Sequence, residues 1–136
     1  KNVSPEALED RLITHPLIGH VVVVGDAKPY VSALITLDPE MLPLWLSNKG
    51  LEVVDPVAAA DLPEVRHSLS KAIRRANSHV SRAESIRKFG ILNATFTAQN
   101  GYLTPSLKLR RGEVLTNFAD EIEALYGGAG HNVSPA

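Results

Sequence analysis

The 136-residue chain contains no cysteine, which removes disulfides, thiolate metal sites and a cysteine nucleophile together. No apolar run approaches the roughly 18 residues of a membrane-spanning helix, and the first residues lack the charged-then-apolar layout of a signal peptide. Neither charge sign dominates, since 14 Lys and Arg stand against 15 Asp and Glu for a formal net charge of -1. A general electrostatic role on nucleic acid or on a membrane surface is therefore unsupported, and any anion argument has to come from local clustering. The histidines His15, His20, His67, His79 and His131 are scattered with no pair at i, i+4, so no helical metal site is expected. No nucleophile elbow is present. Gly127-Gly128-Ala129-Gly130 follows a helical pattern instead of joining a strand to one, which makes it a helix end and not a phosphate cradle.

The length suits one domain with its own core. Ser4-Pro5 is an N-cap followed by a proline at the first helical position, with Glu6, Glu9 and Asp10 complementing the helix dipole before Pro16 stops the helix. Val21 to Val24 read as a buried strand, and after the turn residues Asp26 to Pro29 the segment from Tyr30 to Asp38 alternates as the partner of an antiparallel hairpin. A helix carrying Leu42, Trp45 and Leu46 follows, with Trp45 assigned to the core, and then a long amphipathic helix with Asp61 and Glu64 spaced as its capping box. Residues 86–96 read as a strand, Leu103 to Leu109 as an extended segment with Lys108 and Arg110 on one side, and residues 113–126 as a last helix. The expected fold is α+β, a small antiparallel sheet packed with about four helices, with residues 1–126 as the domain and 127–136 as a flexible tail.

The most unusual stretch is Gly101 to Arg111, because it places Lys108, Arg110 and Arg111 directly before that last helix. Positive charge near a helix N-terminus opposes the macrodipole by about 0.3–1 kcal/mol per charge. An anion is the obvious reason for tolerating it.

Leu103-Thr104-Pro105-Ser106-Leu107-Lys108 followed by a basic pair resembles the C-terminal lysine motif of AMP-forming acyl-CoA synthetases, particularly long-chain fatty acid-CoA ligases. Ser106 stands where that family usually has Thr, which keeps the hydroxyl. Lys1-Asn2-Val3-Ser4-Pro5 leading to Leu8-Glu9-Asp10, Val22-Val23-Val24-Gly25-Asp26 with Ala33-Leu34-Ile35-Thr36, and residues 120–126 extend the likeness over nearly the whole chain. The resemblance implies the C-terminal lid of a two-domain enzyme whose N-terminal adenylation domain lies outside this sequence.

By that resemblance, Lys108 is the lysine that enters the active site during adenylation. The segment Lys1, Asn2, Val3 and Ser4 belongs to a loop that lines the path of the CoA pantetheine arm in the thioester-forming state. Arg110 and Arg111 have three open readings: binding phosphates of ATP or CoA, pairing with an acidic surface of the other domain, or plain solvation. The implied substrates are fatty acid, ATP and CoA, with Mg2+ accompanying ATP mainly in the other domain. The implied setting is cytoplasmic, with peripheral membrane contact left open. A non-catalytic module docking an acidic or phosphate-bearing partner through the same three cations, and the lid of another adenylate-forming enzyme with a different acid, are the alternatives.

Overall fold

β-Branched residues restrict χ1 and favour extended backbone, and in the computed structural model, which describes residues 4–133, the valine run lies in strand β1 (Ile18–Val24). β1 pairs antiparallel with β2 (Val31–Leu37), giving the expected hairpin. Its register shifts between Ile18 and His20, where the His20 N–H donates to Thr36 Oγ1 at 2.9 Å. All seven residues of β2 are buried. It is an interior strand, and the alternation seen in sequence divides its side chains between two covered faces.

The α+β class holds, but the sheet is mixed. Its order is β1-β2-β3-β4, with β3 (Ile86–Leu92) parallel to β2 and β4 (His131–Asn132) antiparallel to β3. Parallel neighbours need a long crossover, here α2 (Met41–Asn48), α3 (Pro56–Ala59) and α4 (Pro63–Asn77). Turn chemistry betrays a hairpin, whereas nothing local marks the relative direction of strands that far apart. β3 stops at Leu92, short of Phe96. The Asn77 side chain joins the crossover to β3 by accepting from Ile86 N–H at 2.8 Å and donating to Ile86 C=O at 2.9 Å.

Six α-helices are present among the described residues, beginning with α1 (Pro5–Leu12). The capping box expected at Asp61 and Glu64 does not form: Pro63 takes the first helical position, so Leu62 is the N-cap and no side-chain cap bond is made. A reciprocal box occurs instead at Ser81 and Glu84, on a short 3-10 turn. The last helix of the sequence reading breaks into α5 (Arg111–Asn117) and α6 (Ala119–Tyr126), because Phe118 leaves helical dihedrals (φ -112°, ψ 25°). Its ring joins an aromatic group with Phe96 and Tyr102, at centroid separations of 5.9 and 5.5 Å.

Helices cover both faces of the sheet. On the first, Leu8 and Leu12 of α1, Leu42 and Leu46 of α2 and the stripe Val65, Leu69, Ala72, Ile73 and Ala76 of α4 pack against Val21, Val23, Ala33, Ile35 and Phe89. On the second, Val22, Val24 and Leu34 meet Phe96, Leu103, Val114, Ile122 and Leu125. Trp45 is only partly buried against the first cluster, with Lys49 Nζ 5.4 Å from its ring centroid.

Within the stretch expected to be a tail, residues 131–132 return to the sheet as β4, and Val133 N–H donates to Arg87 C=O at 2.8 Å. Gly130 makes the return feasible. Its φ is +80°, and a Cβ there would lie 2.3 Å from Leu125 Cδ2 and 2.8 Å from Phe89 O, so only glycine fits.

Candidate functional site

Pro105 presets φ for the second position of a turn, and the chain reverses there, with Leu107 N–H donating to Thr104 C=O at 2.8 Å. Leu103 and Leu109 bridge antiparallel below the turn. Thr104 N–H donates to Lys108 C=O at 2.8 Å, Lys108 N–H donates to Thr104 Oγ1 at 3.0 Å, and the Thr104 and Ser106 hydroxyls lie 3.1 Å apart. The extended segment of the sequence reading is therefore a tight hairpin loop. Side-chain alternation, which would set Leu107 beside Leu109 and opposite Lys108 and Arg110, does not survive it: Leu107 takes a left-handed φ of 68° and is 67% exposed. A bulky residue in that conformation is costly and persists only where its surroundings dictate it.

The loop stands on a firm base. Leu103 is buried and Leu109 partly so, and below them Phe96 and Tyr102 pack with ring centroids 4.9 Å apart. Arg110 N–H donates to Tyr102 C=O at 2.8 Å.

The three cations have different fates. Arg110 is the N-cap of α5; its guanidinium donates to Gly101 C=O at 3.1 Å and pairs with Glu113 at 3.7 Å, half exposed. Arg111 donates to Glu9 Oε1 at 2.5 Å and to Val23 C=O at 3.3 Å, and the other carboxylate oxygen of Glu9 accepts from Val23 N–H at 2.7 Å. Glu113 and Glu9 thus offset the unfavourable charge at the helix start. Lys108 is exposed, and its ammonium has no hydrogen bond or ion pair among the described residues.

Sequence reasoning missed Glu9 as a partner of this region. Its local role in the first turns of α1 gave no sign of a contact with a residue 102 positions away. A shared origin in the two stretches that carried the resemblance was the one available signal.

Residues 1–130 match the family described as AMP-binding enzyme C-terminal domain. The chain belongs to that family. It is 48% identical over 130 residues to Long-chain-fatty-acid--CoA ligase FadD15 of Mycobacterium tuberculosis, covering 93% of this chain and 21% of that protein. It is 31% identical over 128 residues to Long-chain-fatty-acid--CoA ligase 6 of Homo sapiens, covering 91% of this chain and 18% of that protein. The chain therefore spans about a fifth of the length of these curated relatives. Among solved structures, the A domain of carboxylic acid reductase from Segniliparus rugosus, in complex with AMP and a co-purified carboxylic acid, superposes with a TM-score of 0.69 at 26% identity, covering 92% of this chain and 18% of that one.

In this AMP-binding enzyme C-terminal domain, Lys1, Asn2 and Val3 lie outside the described residues, and Ser4 is exposed at the N-cap of α1 without a side-chain cap bond. The structure brings the Lys108 loop and α1 together through Glu9 and Arg111. A cleft of about 300 Å³ opens beside that contact, lined by Pro5, Val23, Val24, Arg111, Leu115 and Ile122 among others. No group of three or more His, Cys, Asp and Glu able to hold a metal occurs among the described residues. No helix described is long and apolar enough to cross a membrane. His15 accepts Leu17 N–H at Nδ1 (3.0 Å) with Nε2 2.8 Å from Ser68 Oγ, which fits the neutral ring. Burial first, then the charges of Arg75 and Lys49, hold His15 below its usual pKa.

Proposed function

We propose that this chain is the C-terminal lid of an AMP-forming long-chain fatty acid-CoA ligase, and that it supplies Lys108 to the adenylation step. The full enzyme joins a fatty acid to ATP as acyl-adenylate with release of pyrophosphate, then passes the acyl group to CoA with release of AMP. The observation that carries the reading is the difference within the basic cluster: two arginines are engaged inside the domain, and the exposed lysine at the tip of a braced loop is left for something outside it.

In adenylation the carboxylate attacks the α-phosphorus, and negative charge grows on the phosphoryl oxygens as the bond to pyrophosphate breaks. Lys108 contributes a compact positive charge with several N–H donors at the point where that charge develops. The stiff loop limits the freedom lost when the ammonium is brought into place. The lid then rotates, so that the loop containing Lys1 to Ser4 replaces Lys108 beside the adenylate and lines the route of CoA. The N-terminal domain of the same enzyme is the partner, with ATP, its Mg2+ and the fatty acid held mainly there. The setting is cytoplasmic. A docking module built on three cations has less support, because only one of the three is uncommitted among the described residues.

Lys108→Ala in the full-length enzyme tests the role. ATP–pyrophosphate exchange should fall by about 100- to 1,000-fold, while conversion of preformed acyl-adenylate to thioester continues. Equal loss of both half-reactions, or of neither, contradicts it.

A further inference from the structure

We propose that Glu9 and Arg111 form a positioning clamp that fixes the Lys108 loop to α1 and β1, so that these three elements move as one body. The inference rests on the adenylation role of Lys108. Arg111 is the first residue of α5 and follows Lys108 by three positions; Glu9 lies in α1, which begins just after Ser4. Between them runs β1, an edge of the sheet. The Glu9 carboxylate accepts from Val23 N–H, the Arg111 guanidinium donates to Val23 C=O, and Arg111 also donates to Glu9 at 2.5 Å. A side-chain pair thus stands where another strand would otherwise dock, which closes this part of the edge. It also joins helix, strand and loop in one bonded unit.

The three contacts constrain more than a simple surface ion pair would. Arg111 is 29% exposed and Glu9 12%, so the pair is screened less than surface charges are. The planar fork of the guanidinium reaches carboxylate and carbonyl together, a geometry that a lysine ammonium reproduces poorly. The Arg110 guanidinium separately donates to Gly101 C=O at 3.1 Å. The loop is braced by both arginines, and Lys108 inherits its position from those braces. Misplacing a reacting group by about 1 Å can cost roughly 100-fold in rate, so a clamp that touches no substrate still governs adenylation.

The test uses the full-length enzyme with Arg111→Gln, Arg111→Lys, Glu9→Gln, the Glu9→Gln/Arg111→Gln double variant, and Lys108→Ala as reference. ATP–pyrophosphate exchange and amide hydrogen exchange are measured below each variant's unfolding midpoint. Arg111→Gln and Glu9→Gln should each lower kcat for pyrophosphate exchange by about 10-fold or more with little change in KM for ATP. The double variant should fall no further than the worse single one, since the two residues act as a unit. Arg111→Lys should recover part of the loss. Amide exchange should accelerate together at Val23 and at Thr104, Leu107 and Lys108. A lowered melting temperature with wild-type kcat and an unchanged loop overturns the clamp while Lys108→Ala still abolishes exchange. A wild-type rate in Lys108→Ala overturns the adenylation role itself, and the loop's amide exchange then judges the mechanical linkage alone.

Discussion

The two faces of the sheet are built from different materials. The first is mostly aliphatic apart from Phe89 and the partly buried Trp45, with the leucines of α1 and α2 and the Val–Leu–Ala–Ile stripe of α4 lying against β1 and β2. The second is small and partly aromatic, with Phe96, Tyr102, Phe118 and Tyr126 packed around Leu103 and Val114. Flexible aliphatic chains interdigitate and hold a helix. Rigid rings in tilted contact, such as Phe96 against Tyr102 at 4.9 Å, instead set the direction of the segments attached to them. The first face therefore supports the fold, and the second fixes where the Lys108 loop stands.

Phe96→Ala breaks this comparison most severely. Phe96 is 5% exposed and touches His20, Tyr102 and Phe118, so its loss should cost about 3–5 kcal/mol and speed amide exchange at Thr104 and Lys108. Leu69→Ala on the other face should cost about 2–5 kcal/mol with loop exchange unchanged. Denaturant titration with residue-level hydrogen exchange reads both, and equal acceleration of the loop in the two variants would deny that the faces divide the work.

Acid sharpens the same contrast at lower amplitude. His15, bonded to Ser68 of α4, is held below its usual 6.5 by burial and by Arg75 and Lys49; His20, 5.6 Å from Phe96, is held below it by burial but partly relieved by Asp38. The unfolded chain takes these protons first, so the stability they contribute is complete above about pH 6.5 and is lost as pH falls below it. His15→Asn should flatten the acid slope of the melting temperature more than His20→Asn, and the reverse ranking would contradict the assigned causes. Smallest is Leu107→Gly: relief of a positive φ opposes the added freedom of the unfolded chain, so stability should move by no more than about 1 kcal/mol. A larger loss in thermal unfolding would mean that the exposed Leu107 side chain makes a contact that its 67% exposure conceals.

Legibility followed the range of each interaction. The valine run, the hairpin to β2, the Ser4-Pro5 start and the α4 stripe were readable because period and propensity act within a few residues. The break at Phe118 was not, since the contacts that bend the helix come from Phe96 and Tyr102. Leu62 displaced Asp61 as a cap because Pro63 fixed the helix start, a local cue that the S/D-x-x-E spacing outweighed in the reading. Lys108 was singled out by its motif alone. Its isolation among three cations was not legible, because Glu113 is near in sequence but Glu9 is not.

Consecutive residues alone specify an α+β domain of the AMP-binding enzyme C-terminal family with a basic segment ahead of its last helical region, because short-range periodicity and motif identity are local. The parallel run of β2 and β3, the return of β4 to the sheet, and the binding of Arg111 to Glu9 while Lys108 is left to the solvent came from three-dimensional packing. Those outcomes depend on which distant groups meet once apolar surface is buried, and a hydrogen bond across 102 positions leaves no local trace.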